Sequence, residues 1–198
     1  YARKGIKTIF VMPYWGLWEG TYKFARDCDI LLTGTKDYAD ALRAETGRDC
    51  RYAPFPIETD LWSSGSSNYL DQFLPEDERN GRVFKVVYAG RLGTPKKIHR
   101  FVEPFKQYII DQGHSDFRFM ILGPAEGDQG ERLQEEIERN DAKSSIIYIP
   151  KYLTSEEMRE IYRASNAFVF PTSRETYGLS QLEALSCGTP TVAPAGND

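Results

Sequence analysis

Apolar and polar positions alternate along this chain in a way that predicts strands and helices in turn. Short apolar runs have the length and composition of buried parallel strands, at Ile6–Met12, Asp29–Thr33, Val83–Ala89, Phe117–Leu122, Ile146–Ile149, Ala167–Phe170 and Thr189–Ala193. Helical spacing of apolar residues occurs between them, at Thr35–Thr46, Ile98–Asp111, Gly130–Asn140, Thr154–Ala164 and Gly178–Cys187. Strands that alternate with helices of this length form βαβ units with right-handed crossovers. The pattern therefore predicts an α/β fold with a doubly wound parallel sheet.

The strand pattern is interrupted between Pro54 and Arg82. Pro54-Phe-Pro56 stiffens the chain, and polar, turn-forming residues follow, as in Ser63-Ser-Gly-Ser-Ser-Asn68. We therefore predict three parts: a segment 1–56 with roughly two βα units, a linker and surface excursion 57–81, and a larger α/β domain 82–198. The chain starts with Tyr1 and stops just after a predicted strand. We expect it to be a fragment of a longer protein.

The composition argues against several functional classes. The formal net charge is −4, which gives no reason to expect a nucleic-acid partner, and we predict none. Cysteine and histidine are few and scattered, at Cys28, Cys50, Cys187, His99 and His114. Because these spacings fit neither a zinc site nor a disulfide framework, we predict no metal and a reducing, cytoplasmic location. No segment reaches the ~18 apolar residues of a membrane span.

A basic turn follows the predicted strand Val83–Ala89. It contains Gly90-Arg91-Leu92 and Lys96, with His99 and Arg100 close behind. Ligands of open parallel sheets bind at the carboxyl ends of the strands, and arginine and lysine are suited to phosphate. The turn is therefore a candidate phosphate site. A solvated basic turn without a ligand explains the same residues about equally well.

Two further strand ends carry weaker signals. The loop Leu122-Gly-Pro-Ala-Glu-Gly127 is rich in glycine but lacks the spacing of a dinucleotide-binding turn or a P-loop. An ordinary strand-to-helix turn is the favoured interpretation there. Lys151 and Tyr152 follow the strand Ile146–Ile149 and could hold a nucleotide base, although a structural turn is at least as good an explanation. The next residues, Thr154-Ser-Glu-Glu157, form a capping-box pattern at a helix start.

Two glutamates bracket the start of the predicted helix Gly178–Cys187. Glu175 lies in the preceding loop with Tyr177, and Glu183 lies on the helix. The free N–H groups and the dipole of a helix N-terminus favour an anion, which nearby carboxylates would repel. The repulsion is avoided if the ligand is a sugar phosphate, because the carboxylates can then bind the hydroxyl groups beside the anion. Solvated glutamates on a helix face are the alternative.

These motifs together resemble those of the retaining glycosyltransferases with the GT-B fold, specifically the group 1 class or glycosyltransferase family 4. The family's Gly-Arg-Leu turn and following lysine match Gly90, Arg91, Leu92 and Lys96. Its proline loop, paired glutamates and helix end match Pro171, Glu175, Tyr177, Gly178, Glu183 and Cys187-Gly-Thr-Pro190. The family usually has glycine after the lysine, where this chain has Lys97.

The resemblance implies a Rossmann-like donor lobe over 82–198 and a remnant of the acceptor lobe over 1–56. It implies that Arg91 and Lys96 hold the donor diphosphate, that Glu183 binds the ribose and that Glu175 contacts the donor sugar. Accordingly, we assign catalysis to Glu175, Arg91 and Lys96. We assign donor binding to Gly90, Arg91, Lys96, Lys151, Tyr177, Gly178, Leu179 and Glu183.

The implied activity is retaining, metal-independent transfer of a sugar from a UDP-, GDP- or ADP-sugar, with no further cofactor. The acceptor is a glycan, a lipid or a small molecule, and peripheral membrane association of the full-length protein stays open. One alternative is a non-catalytic nucleotide-sugar-binding module. Another is a different GT-B enzyme, such as a nucleotide-sugar epimerase, whereas a phosphorylase would need a pyridoxal phosphate lysine for which the sequence has no motif.

Overall fold

The structure is a computed structural model that describes residues 7–12, 19–79, 82–94, 96–172 and 178–194. These residues fold as two compact units. The first extends to Pro56, and the second comprises most of the residues from Ile57 onward. Both units contain parallel sheets with helical connections. None of the described helices has the length and apolar composition that a membrane span requires.

The first unit contains a three-stranded parallel sheet in the order β1-β2-β3. Its elements are β1 (Ile9–Met12), α1 (Glu19–Arg26), β2 (Ile30–Thr33), α2 (Lys36–Thr46) and β3 (Cys50–Tyr52). Thr35 caps the start of α2, because its hydroxyl accepts a hydrogen bond from the Tyr38 N–H. Gly47 ends α2 with a φ of +66°. The core of this unit is small and includes Leu31 and Leu42.

The sequence prediction did not include α1 and β3. Helix α1 has eight residues, of which Ala25 is buried. Its sequence therefore shows no helical repeat of apolar positions. β3 has three residues, of which Cys50 is buried. Its strand geometry comes from pairing with Leu31–Thr33 of β2, which is a tertiary contact rather than a local preference.

The second unit is built on a five-stranded parallel sheet in the order β6-β5-β4-β7-β8. Its elements are β4 (Phe84–Ala89), α3 (Val102–Phe105), β5 (Phe117–Leu122), α4 (Gln129–Arg139), β6 (Ile146–Ile149), α5 (Ser155–Ala164), β7 (Ala167–Val169), α6 (Leu179–Ser186) and β8 (Thr191–Val192). The chain adds β5 and β6 on one side of β4 and then returns to its other side for β7 and β8. The strand order therefore reverses between β4 and β7, the kind of position at which open sheets bind ligands.

Helices cover both faces of this sheet. Residues of α5 and α6 pack with Val87 and Met120 on one face. Residues of α3 and α4 pack with Tyr88 and Ile121 on the other. Successive residues of β4 and β5 thus enter two different cores, which explains why the sequence is apolar without alternation from Val86 to Ala89 and from Phe119 to Leu122. The predicted doubly wound α/β architecture is confirmed.

The predicted helix Ile98–Asp111 is not a single regular helix. Ile98–Phe101 is 3₁₀-helix, α3 follows, and Lys106–Ile110 is π-helix. Pro104 within α3 has no N–H to donate to a carbonyl of the preceding turn. The Asp111 N–H bonds to the Lys106 carbonyl, five residues back, at 2.9 Å. The apolar spacing predicted the helical segment correctly but not its hydrogen-bond pattern.

Residues 57–79 pack into the second unit, which corrects the prediction that 57–81 is a linker and surface excursion. Trp62, Leu70 and Leu74 are buried in the core shared with α5 and α6. Arg163 of α5 donates two hydrogen bonds to Ser63, each 2.9 Å long. The apolar residues follow neither a helical nor a strand period, and the serines and charged residues between them give the segment its polar composition. Neither feature reveals from sequence that the segment is packed.

Candidate functional site

The candidate site lies at the carboxyl edge of the five-stranded sheet, where the strand order reverses. The chain leaves β4 through Gly90 and Arg91, and it leaves the neighbouring β7 through Phe170. These two connections meet, because the Lys96 ammonium lies 4.9 Å from the centre of the Phe170 ring. The basic turn after β4 and the connection after β7 therefore belong to one site.

The backbone of the basic turn holds Arg91 and Lys96 at this edge. Gly90 has a φ of +142°, a conformation that favours glycine. The Tyr88 hydroxyl donates a hydrogen bond to the Arg91 carbonyl at 2.6 Å. The Lys96 N–H donates to the Gly93 carbonyl at 2.9 Å. The Arg91 side chain is 76% exposed, so an incoming anion can reach its guanidinium.

Arg91 is paired with a carboxylate that the sequence did not identify. Its Nη1 lies 2.8 Å from Oε1 of Glu126, in the glycine-rich loop after β5. Both side chains are largely exposed, so the pair contributes at most about 1 kcal/mol to stability. A phosphate group can therefore take the place of the Glu126 carboxylate at little cost.

The glycine-rich loop Leu122–Gly127 supports the basic turn and is more than an ordinary strand-to-helix turn. The N–H groups of Gly90 and Leu92 both donate hydrogen bonds to its carbonyl groups at 2.9 Å. Gly123 permits this approach, since a Cβ at that position would lie 2.0 Å from the Gly90 carbonyl oxygen. Its φ of +137° also favours glycine. The loop thus determines the position of the turn that carries Arg91.

His99 adds little positive charge to the basic turn at neutral pH. Burial lowers the pKa of its imidazole below the usual 6.5, and the nearby charges of Arg100 and Arg132 lower it further. The histidine is therefore mainly neutral at pH 7. The positive charge of this stretch comes from its arginine and lysine residues, including Arg91 and Lys96.

Glu183 lies on α6 with its carboxylate half-buried. The Tyr162 hydroxyl of α5 donates a hydrogen bond to Glu183 Oε2 at 3.3 Å. Burial raises the pKa of Glu183 above its usual 4.5, and the Tyr162 hydrogen bond acts in the opposite direction. A carboxylate can accept about four hydrogen bonds, so Glu183 can also accept from hydroxyl groups of a ligand.

The start of α6 is where the sequence places it. Gly178 precedes the helix with a φ of +70°, and Leu179 is its first residue. The N–H groups of a first helical turn have no partners within the helix and attract anions. Glu175 and Tyr177 lie outside the described residues, so their predicted roles remain predictions.

Lys151 follows the edge strand β6, two strands away from β4. Its ammonium is paired with Glu157, and it lies 3.4 Å from the Tyr69 hydroxyl. Glu157 also accepts from the Thr154 N–H at 2.9 Å, which confirms the predicted capping box of α5. The Lys151 side chain is thus part of the start of α5, whereas Arg91 and Lys96 lie on the turn after β4.

Replacing Glu157 with glutamine is expected to lower the melting temperature by about 2–4 °C at pH 7. Glutamine can still accept from the Thr154 N–H, but it lacks the charge that strengthens the hydrogen bonds to this side chain by about 1 kcal/mol. Hydrogen bonds from Lys151, Thr154 and Tyr69 lower the pKa of Glu157 to about 2. Its stabilisation is therefore present above the unfolded pKa of 4.5 and is lost as the pH falls towards 2.

Thermal denaturation of the unsubstituted chain and of Glu157→Gln between pH 7 and pH 2 measures the difference in melting temperature. This difference should become smaller as the pH falls. The control is Glu156→Gln, an exposed residue in the same helical turn. It should leave the melting temperature within about 1 °C of the unsubstituted chain. An equal drop in both variants would assign the effect to net charge rather than to the hydrogen bonds that Glu157 accepts.

The sequence did not reveal three side chains of this site, Glu126, Phe170 and Tyr162. Each contacts a candidate residue that is distant in sequence: Arg91, Lys96 and Glu183, respectively. A signal for Glu126 was present, because it follows a strand that can be a neighbour of β4. Phe170 ends an apolar run and Tyr162 lies on a helix, and neither residue type nor position indicates a contact with Lys96 or Glu183.

Comparisons with known proteins agree with this architecture. Residues 83–197 match the sequence model of a family described as Glycosyl transferases group 1. The D-inositol 3-phosphate glycosyltransferase of Mycobacteroides abscessus is 27% identical over 187 residues, covering 89% of this chain and 39% of that protein. Its namesake from Paenarthrobacter aurescens is 30% identical over 184 residues, covering 88% and 43%. The chain therefore spans about two fifths of the length of these curated relatives.

A solved structure of similar fold is HepE of Anabaena, in complex with UDP and glucose. It matches with a TM-score of 0.72 at 16% identity, over 94% of this chain and 53% of its own. At this identity the similarity shows the fold alone.

Proposed function

The chain belongs to the group 1 glycosyl transferases, and we propose that its second unit binds the nucleotide-diphosphate sugar of a retaining, metal-independent hexosyl transfer. The observation that carries this proposal is the contact of Lys96 with Phe170. It supports the proposal because Lys96 lies beside Phe170, which follows β7, and the next helix along the chain carries Glu183. A donor that has a diphosphate next to ribose and sugar hydroxyls fits this combination of groups.

Arg91 and Lys96 are proposed to bind the diphosphate. The exposed Arg91–Glu126 pair is weak, whereas a guanidinium can bind two phosphate oxygens at once. Exchange of the carboxylate for phosphate is therefore favourable. As the glycosidic bond breaks, negative charge grows on the departing nucleoside diphosphate, and two fixed cations stabilise that charge. In other enzymes a divalent metal has this function.

Glu183 is proposed to accept hydrogen bonds from the ribose hydroxyls, and N–H groups near Gly178 and Leu179 to assist with the phosphates. Glu175, on the evidence of its motif, is proposed to contact the donor sugar near the anomeric carbon. Transfer on one face of the sugar lets the departing phosphate take the proton of the acceptor hydroxyl. Glu175 is then not required as a nucleophile, in contrast to the paired carboxylates of retaining glycosidases.

Uridine is the first candidate for the base, because HepE was solved with UDP. The Lys151 ammonium is paired with Glu157. The backbone N–H of Lys151 donates a hydrogen bond to the Ile149 carbonyl at 2.9 Å. Any contribution of Lys151 to base binding is therefore proposed to come from its carbonyl group.

A thermal-shift panel of UDP, GDP and ADP, with UDP-glucose, GDP-mannose and ADP-glucose, tests the proposed function. A ligand present at 100 times its dissociation constant stabilises a protein by about 2.7 kcal/mol. That corresponds to an increase of about 5–10 °C in the melting temperature. The matching nucleoside monophosphate should give a smaller shift, since it lacks one phosphate. Absence of a shift with every diphosphate at millimolar concentration would overturn the proposal.

A further inference from the structure

The Tyr162 hydroxyl is buried next to the Glu183 carboxylate. Tyr162 has a relative exposure of 0%, and its hydroxyl donates to Glu183 Oε2 at 3.3 Å. The Ser180 side chain also hydrogen-bonds with it. Burial, and then the charge of Glu183, raises the pKa of Tyr162 well above 10, so the phenol stays protonated at neutral pH and remains a donor.

Tyr162 is held in place by three separate parts of the second unit, two through its ring and one through its backbone carbonyl. Trp62, from residues 57–79, packs with its ring centre 5.8 Å away, and Phe168 of β7 makes an edge-on contact at 5.1 Å. The Thr189 hydroxyl, from the turn after α6, donates to the Tyr162 carbonyl at 2.5 Å. A phenol held in this way presents its hydroxyl at a fixed point.

We propose that Tyr162 is a positioning residue that orients the Glu183 carboxylate towards the ribose hydroxyls and thereby sets the preference for ribonucleotides over deoxyribonucleotides. This inference rests on the function proposed for Glu183. A carboxylate that accepts from two neighbouring hydroxyls must keep one orientation, and a free glutamate side chain loses rotational entropy when it does so. The hydrogen bond to Oε2 removes part of that freedom before the ligand arrives.

Removal of the Tyr162 hydroxyl should have two separable consequences. The carboxylate becomes free to rotate, which weakens its hydrogen bonds to a diol but not the phosphate contacts of Arg91 and Lys96. The pKa of Glu183 also rises further, because the Tyr162 hydrogen bond lowers it. Among the described residues, Cys187, directly after α6, is a further titratable group near both side chains.

The substitution Tyr162→Phe tests the proposal, because it removes the hydroxyl and keeps the ring that packs with Trp62 and Phe168. The matched control is Tyr148→Phe, a partly buried tyrosine that packs in the other core. Calorimetry on the 198-residue chain compares UDP, GDP and ADP with their 2′,3′-dideoxy counterparts. The unsubstituted chain and Tyr148→Phe should prefer the ribose form by about tenfold or more.

In Tyr162→Phe this preference should fall below about threefold, with dideoxynucleotide affinity nearly unchanged. An unchanged preference, or an equal loss of affinity for both forms, would overturn the positioning role.

A carbon-13 NMR titration of the Glu183 carboxyl gives a second readout that needs no nucleotide. Its pKa should be higher in Tyr162→Phe than in Tyr148→Phe, and equal values would overturn the contact itself. If the unsubstituted chain binds no nucleoside diphosphate, the proposed function fails and the ribose role fails with it. The carboxyl titration then still decides whether Tyr162 holds Glu183.

Discussion

Alanine at both Arg91 and Lys96 is expected to weaken the binding of a nucleoside diphosphate by about 100-fold or more. Each cation makes charge-assisted hydrogen bonds to phosphate that contribute about 1.5–3 kcal/mol, so two losses amount to about 3–6 kcal/mol. The fold should be retained, because the Arg91 side chain is 76% exposed and its pair with Glu126 is worth at most about 1 kcal/mol. Binding and stability are thus expected to separate in this variant.

Calorimetric titration with UDP measures the loss, and circular dichroism confirms that the variant is folded. The control is Arg139→Ala with Lys143→Ala, which removes the same formal charge from exposed positions between the end of α4 and the start of β6, at the opposite edge of the sheet. It should bind UDP within about threefold of the unsubstituted chain, since exposed charges farther than a Debye length are screened. The Arg91 and Lys96 double variant should also lose the preference for UDP over UMP. UDP binding at the original affinity would contradict the proposed diphosphate site.

The strands of the second unit could be predicted from sequence, because a strand that is buried on both faces appears as a continuous run of apolar residues. The last four residues of β4 and of β5 are all apolar, and the predicted and observed ends of both strands agree within a residue. The order of the strands in the sheet could not be predicted in this way, since β4 pairs with β7, which is distant in sequence. The first unit was predicted less completely, because α1 and β3 bury few residues and depend on their neighbours for their structure.

The candidate site shows the same division between local and tertiary information. Arg91, Lys96 and Glu183 could be proposed from the sequence because their residue types and strand-end positions suit a phosphate and a diol. The groups that hold them could not. Glu126 lies 35 residues from Arg91, and Tyr162 lies 21 residues from Glu183. The need for glycine at position 123 also depends on the approach of a second strand end, which the motif alone does not show.

Replacing Glu183 with glutamine is expected to stabilise the protein at pH 7 and to weaken nucleotide binding. Burial raises the pKa of Glu183 above 4.5, so its ionised form opposes folding. That cost is absent below the unfolded pKa and grows as the pH rises through the folded pKa. The melting temperature of Glu183→Gln should therefore equal that of the unsubstituted chain near pH 4 and exceed it at pH 7.

The affinity of Glu183→Gln for UDP should fall, although its stability at pH 7 rises. An amide can still accept from the Tyr162 hydroxyl, but it lacks the charge that strengthens hydrogen bonds from the ribose. The loss is about 1.5–3 kcal/mol, or about 10- to 100-fold in affinity.

Glu131→Gln, an exposed glutamate on α4, should change neither property. Thermal denaturation across pH 4 to 8 and calorimetry at pH 7 measure both effects. A gain in stability without a loss of affinity would show that Glu183 is a buried carboxylate with no contact to the nucleotide. A loss of affinity without the gain would show that its desolvation is offset by the Tyr162 hydrogen bond. If Glu183 must be charged for binding but not for folding, the substitution should both raise the stability and lower the affinity for UDP.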